Sequence, residues 1–253
     1  MEFEKYKLEK HRDDVKSWYA EKVNTPSDIE PYRDAVEKAI DDIQDVLGLD
    51  VEFTIVIGET DVDEVKRGVD GELPQSAYVF GMSFNPGMHD VGDKVVYLSA
   101  NTRCDYWRPG LKHTAVHEAS HQKFFAENPS MNHRIWESMI FEGHAISSAE
   151  KVSEERDYQW SIRPDRYEGT ASRLKEELDM KRAFDHTDTE GKSQLFLYEG
   201  EEWPGAKGYV IAFEVYQEIL DRKSMEIGEP IEMSHEDMRK QVEKSVENLY
   251  GED

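Results

Sequence analysis

The chain has 253 residues, 38% of them hydrophobic, which suits one substantial domain, or one domain with a helical extension, and argues against global disorder. Its 55 acidic residues against 31 basic ones give a formal net charge of −24, which argues against nucleic-acid and anionic-membrane binding, since both need basic surface. A single cysteine, Cys104, excludes an internal disulfide and a cysteine-rich zinc site, and reads as a small buried apolar residue rather than a nucleophile.

The carboxylates spread along the whole chain, as an acid-coated surface does, rather than gathering in a tail. They fit a protein of a high-salt cytosol, where screening removes self-repulsion; the alternative is an ordinary acidic protein. The first residues, Met1-Glu2-Phe3-Glu4-Lys5, are charged at once and contain no signal-like apolar run. No stretch approaches the length of a membrane span, so a cytoplasmic location is expected.

Residues 4–23 are expected to be helical and highly charged. Ser27 or Asp28 can cap a second helix that runs to about Leu47, with Gly48 as its stop. Ala35, Val36, Ala39, Ile40, Ile43, Val46 and Leu47 form its apolar stripe, which is core packing. Residues 1–48 are therefore expected to be a helical extension packed on a main domain, 49–253. Val51–Ile57, Ala77–Phe84 and Lys94–Ser99 read as strands, with turns at Asn85-Pro86-Gly87 and Gly92-Asp93. His89 and Asp90 fall in a turn and are expected to be solvated.

The next stretch carries chemistry. Val116-His117-Glu118-Ala119-Ser120-His121 reads H-E-x-x-H. From the composition, a chance match to H-(D/E)-x-x-H is expected roughly 0.07 times in the chain. Pro109-Gly110 and Asn128-Pro129 frame one helix, and Leu111, Ala115, Val116, Ala119 and Phe124 or Phe125 give it a helical apolar pattern. Residues four apart share a helix face, so His117 and His121 can present imidazole nitrogens to one metal ion. Glu118, one position along from His117, can reach a water rather than the metal and act as general base. His113 extends the histidine row by a turn and reads as a supporting or structural residue.

A catalytic zinc needs a third protein ligand and an open position. A second helix is expected from about Met131 to Glu155, with His133, Glu137, Glu142 and His144 as acceptor-type residues. At about 100° per residue, Ile135, Ser138, Met139, Ala145, Ile146 and Ala149 fall within about 60° of Glu142. Glu137 and His144 project from the opposite side. A carboxylate in an apolar stripe is costly unless paired or metal-bound, so Glu142 is the best third ligand. The alternatives are a buried carboxylate satisfied by an arginine such as Arg134, and ligation by His144 from the other face.

Beyond a charged stretch after Lys151, a helix is expected from about Thr170 to Phe184, and a long loop with a short strand, Leu195–Tyr198, across 185–205. Gly208–Leu220 reads as a helix with Tyr209, Phe213 and Tyr216 at helical spacing. Phe213 and Tyr216 read as core; Tyr209, near the start, is a candidate to donate a hydrogen bond to an oxyanion. Ser234 with Asp237 caps a final amphipathic helix.

His117-Glu118-Ala119-Ser120-His121, then Glu142-Gly143-His144-Ala145, then Gly208-Tyr209 resemble the predicted zinc-dependent protease domain family, whose members pair H-E-x-x-H with a downstream E-G-x-A and a later G-Y. The resemblance spans roughly Val51 to Leu220 as short motifs. Members commonly carry Gly three residues after that Tyr, where this chain has Ala212. The resemblance implies a zincin-like fold whose third ligand is Glu, with His117, His121 and Glu142 on Zn²⁺ and Glu118 as base. The reading is thus an α+β zincin-like metallopeptidase, with a small sheet before the metal helix and a mainly helical C-terminal part. It would act on a peptide or protein substrate. The rival is a non-catalytic protein that keeps the fold and its zinc for stability or partner binding; another is a zinc hydrolase of non-peptide amides.

Overall fold

The computed structural model describes residues 6–9, 23–48, 52–60, 79–86, 89–103, 105–129, 134–158 and 207–250. Their architecture is α+β, with a small sheet and otherwise mostly helical content. The elements are β1 (Tyr6–Glu9), β2 (Val23–Asn24), α1 (Glu30–Leu47), β3 (Phe53–Thr60), β4 (Val79–Phe84), β5 (Val95–Ala100), α2 (Trp107–Glu127), α3 (Ile135–Glu155), α4 (Lys207–Lys223) and α5 (His235–Tyr250).

The apolar run of β3 is buried because the strand is interior: it pairs in parallel with β1 on one side and β5 on the other. The sheet order is β1-β3-β5-β4, with β2 pairing antiparallel to the far end of β3. Strand β4 runs antiparallel to β5, with Gly81 opposite Leu98, and ends the sheet's path on that side. The period of two divides β3 and β5 between two clusters. Ile55 and Ile57 of β3, with Val96, Leu98 and Ala100 of β5, join the stripe of α1, Leu111, Ala115, Val116 and Ala119 of α2, and Ala149 and Val152 of α3. On the other face Val56, Phe84, Val91, Val95 and Tyr97 form a smaller cluster.

Helix α1 ends as its sequence requires. Gly48 takes a left-handed φ of 60° and donates its N–H to the Gln44 carbonyl. At the other end Asp28 accepts the Glu30 N–H at 3.0 Å, although the capping position itself is Ile29. The expected helix over 4–23 is corrected at its start: Tyr6–Glu9 is a strand in register with Phe53–Val56. Tyr-Lys-Leu-Glu is itself an alternating pattern, overshadowed by the charges around it. Cys104, His133, the expected helix at 170–184 and the loop with its strand at 185–205 lie outside the described residues.

The chain divides into two compact units, Met1–Ala126 with Ser148–Ser161, and Glu127–Ser147 with Ile162–Asp253. In the first, Asp42 of α1 is a buried node, taking the Tyr158 hydroxyl at 2.7 Å, Arg156 at 3.3 Å and Lys38 at 2.5 Å. In the second, α4 ends in a left-handed Ser224 (φ 52°), and Met225 N–H reaches back to the Leu220 carbonyl. Ser234 caps α5 by accepting the Asp237 N–H at 3.2 Å while donating its hydroxyl to the Asp237 carboxylate at 2.7 Å. Arg222 and Glu218 of α4 join Gln241, Ser245 and Asn248 of α5 in one polar network. Among the described residues no helix is long and apolar enough to cross a membrane.

Candidate metal centre

Helix α2 takes Pro109 and Gly110 into its opening turns, where the missing proline N–H would have had no helical partner. Two side-chain ridges then run along it at spacings of four, His113/His117/His121 and Thr114/Glu118/Gln122. On the first ridge, His117 Nε2 and His121 Nε2 lie 3.1 Å apart with their rings nearly perpendicular, at 89°. Two imidazole nitrogens, each about 2.0–2.1 Å from a tetrahedral zinc, would lie about 3.3 Å apart, so the pair has the spacing of a ligand pair. One ligand-type atom from each of His117, His121 and Glu142 falls within 4.8 Å of the others. Neutral imidazole plus carboxylate is the donor set of a catalytic zinc, so these residues fit the ion the motif implies.

His113, the next residue up the ridge, is buried and outside that group; its Nε2 meets Glu150 Oε1 of α3 at 3.2 Å. Burial lowers its pKa, against the pull of the Glu150 carboxylate. Helix α3 is buried on nearly every side, which helical phasing alone does not reveal. Glu142 is half-buried, whereas Glu137 and His144, expected on the opposite face, are only 2% and 3% exposed. Each has other work. Glu137 accepts the Arg134 N–H at 2.6 Å and meets His235 Nε2 at 2.6 Å. The His144 ring packs edge-on against Tyr216 with centroids 6.0 Å apart.

The second ridge of α2 faces β4. Ser83 Oγ donates to the Glu118 carbonyl at 2.6 Å, and Gln122 Nε2 donates to the carbonyls of Phe84 at 3.1 Å and Val95 at 3.0 Å. Two residues before Ser83, Gly81 lies against the Glu118 side chain, which is 6% exposed. His89 is not merely solvated. It is half-buried, its Nδ1 accepts the Asn85 N–H at 3.0 Å, and burial lowers its pKa; it closes the turn after β4.

Tyr209 is half-buried in the first turn of α4. Three residues on, Ala212 makes the close crossing with α3: a Cβ added to Gly143 would meet the Ala212 carbonyl and lie 2.7 Å from Tyr216 Cβ. Contacts of Gly143 with Ala212 and Tyr216, and of Ser147 with Gln217, advance together along both helices. Of α2's supporting residues, the sequence reading left out Thr114, Gln122, Ser83 and Gly81. The i±4 spacing of Thr114 and Gln122 about Glu118 was the available signal, but which strand lies opposite depends on the sheet order.

A family model described as "Predicted Zn-dependent protease (DUF2268)" matches residues 76–240, well over half of the chain and all of the motifs above. No curated protein and no solved structure matches the chain. With H-E-x-x-H on α2 and E-G-x-A on α3 both inside the matched span, the chain belongs to this family of predicted Zn-dependent proteases.

Proposed function

We propose that the protein is a zincin-like metallopeptidase, with His117, His121 and Glu142 holding one Zn²⁺ and Glu118 acting as general base. The grouping of two imidazoles and a carboxylate within 4.8 Å carries this reading. The order of elements supports it as well: a small mixed sheet whose antiparallel end strand, β4, lies against the helix bearing the motif. Zinc, when bound, polarises the scissile carbonyl and makes a water acidic enough to lose a proton near neutral pH.

Glu118 stands outside the ligand group, on the ridge turned to β4, which suits a base better than a ligand. Its carboxylate accepts the water proton and delivers it to the leaving amine as the C–N bond breaks. No bond between enzyme and substrate forms. Tyr209, on the face of α4 that presents Ala212 to Gly143, is the proposed hydrogen-bond donor to the developing oxyanion.

Metal analysis with a peptide-library digest tests the reading. Expected are about one zinc per chain and cleavage that stops on chelation and returns with added zinc. A chain that holds zinc firmly yet cleaves no peptide would contradict it in favour of a zinc-binding module.

A further inference from the structure

We propose that Gly81 is a positioning residue for Glu118, an inference that rests on the peptidase reading above. Strand β4 turns Val79, Gly81 and Ser83 toward α2, and Gly81 is the only one of the three without a side chain. A Cβ there would lie 2.5 Å from Thr114 Cγ2, 2.6 Å from Glu118 Cγ and 2.9 Å from Glu118 Oε1. The carboxyl arm of Glu118 therefore occupies space that any other residue at 81 would fill. Gly81 is not among the positive-φ residues, so its backbone conformation does not demand glycine; the room does.

Strand and helix are tied just beyond this point, by Ser83 to the Glu118 carbonyl and by Gln122 to the carbonyls of Phe84 and Val95. These ties hold their separation. The groups that must yield to an added methyl are the Thr114 methyl and the Glu118 arm, side-chain atoms rather than main chain; Thr114 is β-branched and stiff, so the arm is the part with room to turn. Gly81→Ala should thus displace the base while sparing the fold, and a misplacement of about 1 Å can cost on the order of 10² in rate.

The test uses the full zinc-loaded chain and a peptide that the wild type cleaves. Gly81→Ala should lower kcat by at least about tenfold, with KM within about twofold and zinc still at about one per chain. A fall in kcat that comes with lost zinc or with a matching change in KM would mean a merely structural glycine and overturn the proposal. An unchanged kcat would overturn it too. If Gly81→Ala does not fold, Gly81→Ala/Thr114→Ser removes the methyl at 2.5 Å and carries the same comparison. Melting temperatures give a readout independent of turnover: Gly81→Ala should cost less in Glu118→Ala than in wild type, and additive losses would overturn the contact. A wild type that cleaves nothing sinks the peptidase reading instead, and this melting cycle then decides alone whether Gly81 seats Glu118.

Discussion

Glu137 and Glu142 are five residues apart on one helix, and of the two only Glu142 joins His117 and His121 in the candidate metal group. Glu137 is fully buried and closes the first turn of α3 by accepting the Arg134 N–H, while its other oxygen meets His235. Removing it strands these partners, so Glu137→Ala should destabilise the protein by about 1–3 kcal/mol and leave zinc content intact. Glu142→Ala should do the reverse, with zinc lost and the fold less affected. Mass spectrometry and urea unfolding of both variants separate the two, and zinc lost from Glu137→Ala but kept by Glu142→Ala would show the helix phasing to be wrong. That His117 and His121 share one face was legible because helical spacing is a local rule, and Glu142, the third member of their group, was picked out as a carboxylate interrupting an apolar stripe. The burial of Glu137 and His144 was not, since their partners His235 and Tyr216 lie on helices 98 and 72 positions further along the chain.

Between elements, α3 and α4 cross closely at Gly143. Gly143 meets the Ala212 main chain, and a carbonyl fixed in a helix cannot swing away as a side-chain end can. Gly143→Ala should therefore overpack the crossing and cost about 1–3 kcal/mol, read as a lower urea midpoint at unchanged slope. No change in midpoint would mean that the helices can separate freely there. The same crossing gives the glycine of E-G-x-A a packing reason and asks for a small residue at 212, a demand that alanine meets. Helices and central strands were readable from their periods, as were the Gly48 and Ser234 caps. Strand order was not, because a strand's neighbours are chosen by pairing across long separations; β3 and β5 lie about 40 residues apart in sequence. That is why Gly81 and Ser83 escaped notice. Their importance comes from β4 being the end strand beside α2.

At the scale of the whole molecule, the charge of −24 is a cost that salt should relieve. At 1 M salt the screening length falls to about 3 Å, so the melting temperature should rise between low and molar KCl; an unchanged or lower value would refute salt adaptation. Alkali probes the core instead. Burial raises the pKa of Tyr32 to about 12, and it also raises those of Tyr97, Tyr158, Tyr216 and Tyr250. A group with a raised folded pKa stabilises fully below its unfolded pKa and loses that contribution as pH climbs; for Tyr32 the window is about pH 10 to 12. Tyrosinate absorbance should therefore show these five silent through pH 10 and appearing together with unfolding, whereas gradual titration in a folded chain would contradict their burial. Whether the molecule is an enzyme turns on Glu118. Zinc content and peptide hydrolysis measured on the same preparation of Glu118→Gln test this most directly. About one zinc per chain is expected, with cleavage reduced by a factor on the order of 10² or more, because the amide keeps the shape and cannot accept the proton; cleavage at the wild-type rate would contradict a general-base role for Glu118.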